Sequence, residues 1–159
     1  MANAYLKKLR QFGVQATQLD GDEIRKGLCS DLGFSMEDRM ENIRRVSEVN
    51  KILLDNGLTI LNSFVSPTDA IRHSAQSSIG KDRFILVFVD APLSLCMERD
   101  PKGMYRKNLQ SQQNNFTGLG QGFDPPAEFD LRLDTQALSV DQCVELLEKL
   151  RLEFLVNNG

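Results

Sequence analysis

The run Phe84-Ile85-Leu86-Val87-Phe88-Val89-Asp90 constrains the fold more than any other stretch of the chain. It has the length of a strand and no alternation of apolar with polar residues, the pattern of a central strand buried on both faces, and Ala91-Pro92 ends it. Strands of this kind belong to α/β proteins, whose helices cover both faces of a parallel sheet. Residues 14–19, 58–64 and 131–133 read as further strands, with helical patterns between them.

The first of these strands stops in Asp20-Gly21-Asp22, two carboxylates separated by one glycine, and Arg25 follows closely. In open α/β sheets ligands sit beyond the carboxyl ends of the strands, so acids and an arginine at such an end are placed for phosphate and metal chemistry. Gly21 permits a sharp turn, and the planar fork of Arg25 suits a phosphate or sulfate oxyanion. Taken alone, the tripeptide reads as a plain polar strand-to-helix turn. A second strand end comes where residues 58–64 run into Val65-Ser66-Pro67, with Pro67 able to open a helix at about Thr68.

Helix boundaries are marked locally. Ala4, Leu6, Leu9 and Phe12, with Lys7, Lys8 and Arg10 between them, predict an N-terminal helix closed by Gly13. Ser35 caps a long helix with Glu37 and Asp38 in its first turn and Asn56-Gly57 as its stop. Its apolar face is Ile43, Val46, Val49 or Asn50, and Leu53; Arg39 and Asn42 share a face at the end that approaches Asp20. By charge pattern, Arg39, Arg44 and Arg45 read as a solvated face paired with Glu37, Glu41 and Glu48. Ser139 and Gln142 form a capping box for a last helix with Val140, Cys143, Val144, Leu147, Leu150 and Phe154 on its apolar side. Residues 100–126 turn to glycine, amide and basic residues, a composition shared by functional lids and by surface loops.

A chain of 159 residues, 41% hydrophobic, makes one domain spanning residues 1–159. Its net charge of −3 provides no basic field for nucleic acid, so an anionic ligand must be held by a local cluster. Cys29, Cys96 and Cys143, an odd number at wide spacings, suit reduced thiols in a cytoplasmic protein. No apolar stretch has membrane-spanning length and no signal peptide is visible. His73 has no ligand-type neighbour at metal spacing and carries no assigned role.

Seven motifs stand in one order and spacing: residues 19–25, Gly33-Phe34-Ser35, Asp38-Arg39 with residues 41–45, Ser63-Phe64-Val65-Ser66-Pro67, Phe88-Val89-Asp90-Ala91-Pro92, Arg99-Asp100-Pro101-Lys102-Gly103, and Asn115-Phe116-Thr117-Gly118. Together they resemble the adenylyl-sulfate kinases over nearly the whole chain. The resemblance implies a three-layer α/β fold of the P-loop kinase type and transfer of the γ-phosphate of ATP, with Mg²⁺, to the 3′-hydroxyl of adenosine 5′-phosphosulfate in sulfate assimilation.

It also implies roles. Asp20 matches the acid where the attacking hydroxyl and Mg²⁺ meet, able to orient or deprotonate the nucleophile. Asp22, Arg25, Arg39 and Asn42 match substrate-binding positions, the arginines facing the phosphosulfate. Phe34 and Phe116 match the aromatic pair around the adenine, Val65 and Ser66 the substrate-site residues of the second strand end, Ser66 with a catalytic place, and Lys102 the lid lysine. Such kinases often dimerise, which leaves a homodimer open. The sequence departs from the family pattern at residues 118–125, and it holds no Gly-x-x-Gly-x-Gly-Lys-Ser/Thr phosphate loop. Ala2-Asn3-Ala4 matches the residues just after that loop, so the central first strand is expected to be missing. Residues 58–63 and 84–90 should then leave a gap or close on each other. The chain as it stands is expected to show no ATP-dependent turnover, the alternative to an active kinase being a remnant that only binds adenosine phosphosulfate or its product.

Overall fold

The computed structural model describes residues 1–111 and 122–158, with side chains for 1–107 and 122–158. Helix α1 (Ala2–Gln11) ends where Phe12 and Gly13 donate back to carbonyls of its last turn, Gly13 taking the positive φ of +76° that glycine tolerates. Then come strand β1 (Ala16–Asp20), the single turn α2 (Gly21–Ile24), the long helix α3 (Met36–Asp55), β2 (Thr59–Ser63) and α4 (Asp69–Ile79). After a 3-10 turn (Lys81–Arg83) follow β3 (Val87–Asp90), α5 (Leu93–Arg99), α6 (Met104–Ser111), β4 (Leu131–Asp134) and α7 (Val140–Asn158).

Among the described residues both strand pairs are parallel. β1 lies beside β2 from Ala16 opposite Thr59 to Asp20 opposite Ser63, and β3 beside β4 from Val87 opposite Leu131 to Asp90 opposite Asp134. Among the described residues no ladder joins β2 to β3, so the two pairs form separate sheets. Of the two outcomes expected for residues 58–63 and 84–90, this is the gap.

Helices cover both faces of the first sheet, because adjacent residues of a strand point opposite ways. Leu61 packs into the cluster of Tyr5, Leu9, Ala16 and Val144 from α1, β1 and α7. Its neighbour Asn62 faces the other way and exchanges two amide hydrogen bonds of 3.2 Å with Asn50 of α3. Leu9 is wholly buried, which contributes about 1.5–3 kcal/mol over an exposed leucine.

Several boundaries and faces differ from the sequence expectation. Only residues 87–90 of the apolar run form a strand, and Val89 is 54% exposed. β3 is therefore not buried on both faces, and among the described residues its ladder runs to β4 alone. On α3, of the two alternatives Val49 and Asn50, it is Asn50 that is buried, its amide satisfied by Asn62. On α7, Cys143 and Val144 are buried as expected, but Val140 is half exposed, and Glu148 goes inside instead. That carboxylate accepts from Arg151 at 2.7 and 2.9 Å and from the Tyr5 hydroxyl at 3.0 Å, so the charge is buried with its partners. Cys29, Cys96 and Cys143 are all free thiols.

Candidate functional site

Parallel pairing in register brings the ends of β1 and β2 to one edge, with Asp20 level with Ser63. Asp20 is the last residue of its strand, and its Oδ1 accepts from the Asp22 amide at 2.9 Å, capping α2. The turn between them depends on glycine for room: a Cβ on Gly21 would lie 3.1 Å from the Phe64 ring and 3.4 Å from the Ser63 carbonyl. Asp22 accepts a 2.5 Å bond from Lys102 Nζ, which ties the acidic turn to the loop between α5 and α6 and raises the lysine's pKa. Asp100 accepts from the Tyr105 and Arg106 amides at 3.1 Å and thereby fixes the start of α6 behind that lysine.

An open cleft of about 410 Å³ lies here, lined among others by Asn3, Arg10, Gln18, Asp20, Glu23 and Lys102. Gln18 donates to Ser63 Oγ at 3.2 Å, but its buried Oε1 has no donor among the described residues. Those residues contain no group of three or more His, Cys, Asp or Glu side chains able to hold a metal ion.

The second group forms where α2 turns back toward α3. Arg25 Nη1 donates to the Gly33 carbonyl at 2.6 Å, and its guanidinium lies 4.4 Å from the centre of the Phe34 ring. Arg39, in the first turns of α3, donates from Nε to the Phe34 carbonyl at 3.1 Å and lies 5.7 Å from the same ring. Burial, and then the charge of Arg25, push the Arg39 pKa below its ordinary value. Two guanidiniums thus share one half-exposed ring. One turn further on, Asn42 is buried with its Nδ2 lacking an acceptor among the described residues.

Arg39 therefore corrects the reading by charge pattern: it is 8% exposed, not part of a solvated face. Arg44 and Arg45 do pair outward, both with Glu41, and Arg45 also with Asp31. Arg44 and Arg45 each have glutamates three or four positions away, whereas Arg39 is two positions from Glu37 and from Glu41 and turns instead to the Phe34 carbonyl.

At the β2 end Val65 is 56% exposed and Ser66 adopts φ +41°, outside the range ordinary for a residue with a side chain. The Ser66 carbonyl accepts from Arg72 at 2.7 Å. Sequence reasoning passed over Arg72; a basic residue three positions after Asp69 was the available signal, but it does not disclose a carbonyl partner. Phe116 lies outside the described residues. Thus Asp20, Asp22 and Lys102 form one group, Arg25, Phe34, Arg39 and Asn42 another, and Val65 and Ser66 stand at the neighbouring strand end.

Comparison with known proteins gives one answer. The family model of adenylylsulphate kinase matches residues 1–134. The adenylyl-sulfate kinase of Enterobacter sp. (strain 638) is 45% identical over 158 residues, covering 99% of this chain and 79% of its own length. That of Erwinia tasmaniensis is 44% identical over 156 residues, covering 98% and 78%. Among solved structures, the APS kinase CysC of Mycobacterium tuberculosis, in complex with AMPPNP and APS, superposes with a TM-score of 0.88 at 39% identity over 94% of this chain and 87% of its own. The hexameric APS kinase of Thiobacillus denitrificans, 24% identical with a TM-score of 0.66 over 96% of this chain and 26% of its own, shares the fold. With the paired strand ends and the family match extending through β4, the chain belongs to the adenylyl-sulfate kinase family.

Proposed function

We propose that this site phosphorylates the 3′-hydroxyl of adenosine 5′-phosphosulfate with ATP, yielding 3′-phosphoadenylyl sulfate for sulfate assimilation. The observation that carries the reading is the convergence of Arg25 and Arg39 on the face of Phe34 beside the unsatisfied Asn42 amide. Two guanidiniums suit the charged phosphosulfate, and an exposed ring suits a flat base. The relative from Mycobacterium tuberculosis, solved with APS and an ATP analogue, supports the same ligands here.

In the transfer the 3′-oxygen forms a bond to the γ-phosphorus while the bond from that phosphorus to the β,γ-bridging oxygen breaks, and ADP leaves. The hydroxyl proton goes to a base, for which Asp20 is the candidate. Its Oδ1 holds the α2 cap, leaving Oδ2 without a donor among the described residues. Asp22 and Lys102 hold each other across the entrance and, with Val65, Ser66 and Phe116, complete the proposed substrate contacts.

Asp20 is also the residue that would hold Mg²⁺, an ion commonly bound by one or two carboxylates plus substrate phosphates, so the lack of a larger acidic cluster is compatible with it. When bound, it neutralises charge on the transferring phosphates. We place the protein in the cytoplasm on the strength of its free thiols, and as a homodimer on the exposed Leu152, Leu155 and Val156 of α7. Light scattering at the 17.9 kDa of one chain would count against the dimer.

Calorimetric titration tests the substrate assignment on this chain directly. Adenosine 5′-phosphosulfate should bind more tightly than adenosine monophosphate, because the arginines read the sulfated end. Equal affinities reject it.

A further inference from the structure

Ser66, at φ +41°, is the one residue other than glycine, among those described, that stands well inside the left-handed region, Asp100 reaching only +18°. Such a conformation persists only where the surroundings over-determine it. Here they centre on Arg72 of α4, which is 5% exposed. Its Nη1 donates to the Ser66 carbonyl at 2.7 Å, while Nη2 donates to the Asp124 carbonyl at 2.8 Å and to Asp69 Oδ1 at 2.7 Å. Nε adds a 3.0 Å bond to the same Asp69 oxygen.

The groups around it bond to one another as well. The Asp124 amide donates to the Pro67 carbonyl at 2.9 Å, and the Ala127 amide to the Asp69 carboxylate at 3.4 Å. The guanidinium lies 5.8 Å from the Phe123 ring, which stacks at 6.2 Å on Phe88 of β3. A helical i,i+3 pair with Asp69 explains one edge of Arg72. It does not explain why the other donors converge on two carbonyls 58 positions apart, at Ser66 and Asp124.

We infer that Arg72 is a positioning residue that fixes Ser66 and residues 122–127 to each other as one unit at the substrate site. The backbone shape of Ser66 and the seat of the returning chain are set by a single buried guanidinium. Lysine cannot replace it, since one ammonium cannot span both carbonyls and the carboxylate as a planar fork does. The consequence for substrate rests on the adenylyl-sulfate reading; the clamp itself does not.

Arg72→Lys in the full chain provides the test, with two readouts. In amide hydrogen exchange, Asp124 and Ala127 should exchange about tenfold faster while the amides of α1 keep their protection. Unchanged exchange at both positions overturns the clamp. In calorimetry with adenosine 5′-phosphosulfate, Arg72→Lys should weaken binding about tenfold, yet add less than about twofold in a Ser66→Ala background, because the two act through one element. Additive losses, or a fall in melting temperature with unchanged affinity, overturn the positioning role. If Arg72→Lys does not fold, Asp69→Asn weakens the anchor while keeping Arg72, and the same readouts should move about threefold. A wild-type chain that binds no adenosine phosphosulfate rejects the substrate reading, and the exchange result still decides the clamp.

Discussion

Asp20 and Asp90 occupy equivalent places, each the last residue of a parallel strand and each level with the end of its neighbour. Their surroundings differ. Asp90 is neutralised across its sheet by Arg132, at 2.6 and 2.8 Å, and its carbonyl accepts from both the amide and the hydroxyl of Thr135. Asp20 has no cation bonded to it among the described residues; it caps one turn and lines the cleft. A carboxylate at a strand end is therefore available for chemistry only where no arginine on the next strand takes it up. The contrast extends to the sheets themselves: behind Asp20 lies the core of α1 and α7, whereas Val89 beside Asp90 stands half in solvent.

The sharpest way to break the comparison is to remove each acid in turn. With the family's phosphate loop fused ahead of Met1, Asp20→Ala should lower kcat by roughly 10²–10⁴-fold if it is a general base, and Asp90→Ala should leave kcat within about threefold. A variant at Asp20 that loses affinity but keeps kcat would make it a binding residue instead. Next in size is the packing behind the strands. Leu9→Ala should destabilise the chain by about 2–5 kcal/mol in urea melts, against about 0.5 kcal/mol for Val89→Ala. Similar losses at the two positions would show that the sheets are equally supported.

Arg39→Ala should weaken adenosine phosphosulfate binding by roughly 10–100-fold, the worth of a charge-assisted hydrogen bond, and adenosine monophosphate binding by less. The smallest effect concerns acid. Arg151 holds the Glu148 carboxyl below its ordinary value of 4.5, burial opposing and the Tyr5 hydroxyl assisting. The folded pKa is thus below the unfolded one, so this stabilisation is present above about pH 4.5 and is lost as pH falls through the folded value. Melting temperature should decline with acidification in that window, and less steeply in Glu148→Gln. An identical slope in the variant assigns the decline to other acids, with Glu41, held at about 2 by Arg44 and Arg45, the next to examine.

Features encoded within one turn of chain were legible. The Ser35 cap bonds the Asp38 amide, and the Ser139–Gln142 box closes as its spacing implies. The motifs also singled out Asp20, Asp22, Arg25, Phe34, Arg39 and Asn42 as candidates, and the structure gathers the first two at the β1 end and Arg25, Phe34 and Arg39 around one ring. What escaped depends on partners distant in sequence. The burial of Arg39 depends on the Phe34 carbonyl, and the conformation of Ser66 on Arg72. Nor does an apolar run report whether its faces are covered: Val89 is 54% exposed.

The bond between Asp22 and Lys102 spans 80 residues, and both side chains are about half exposed or more. A contact of that range forms only after the chain between its ends has been ordered, and an exposed ion pair returns at most about 1 kcal/mol for the closure. The entrance to the site is thus late to assemble during folding and among the first places to open by fluctuation in the finished molecule. The acid turn can reach solvent, and an arriving anion can compete for the lysine, without disturbing the core.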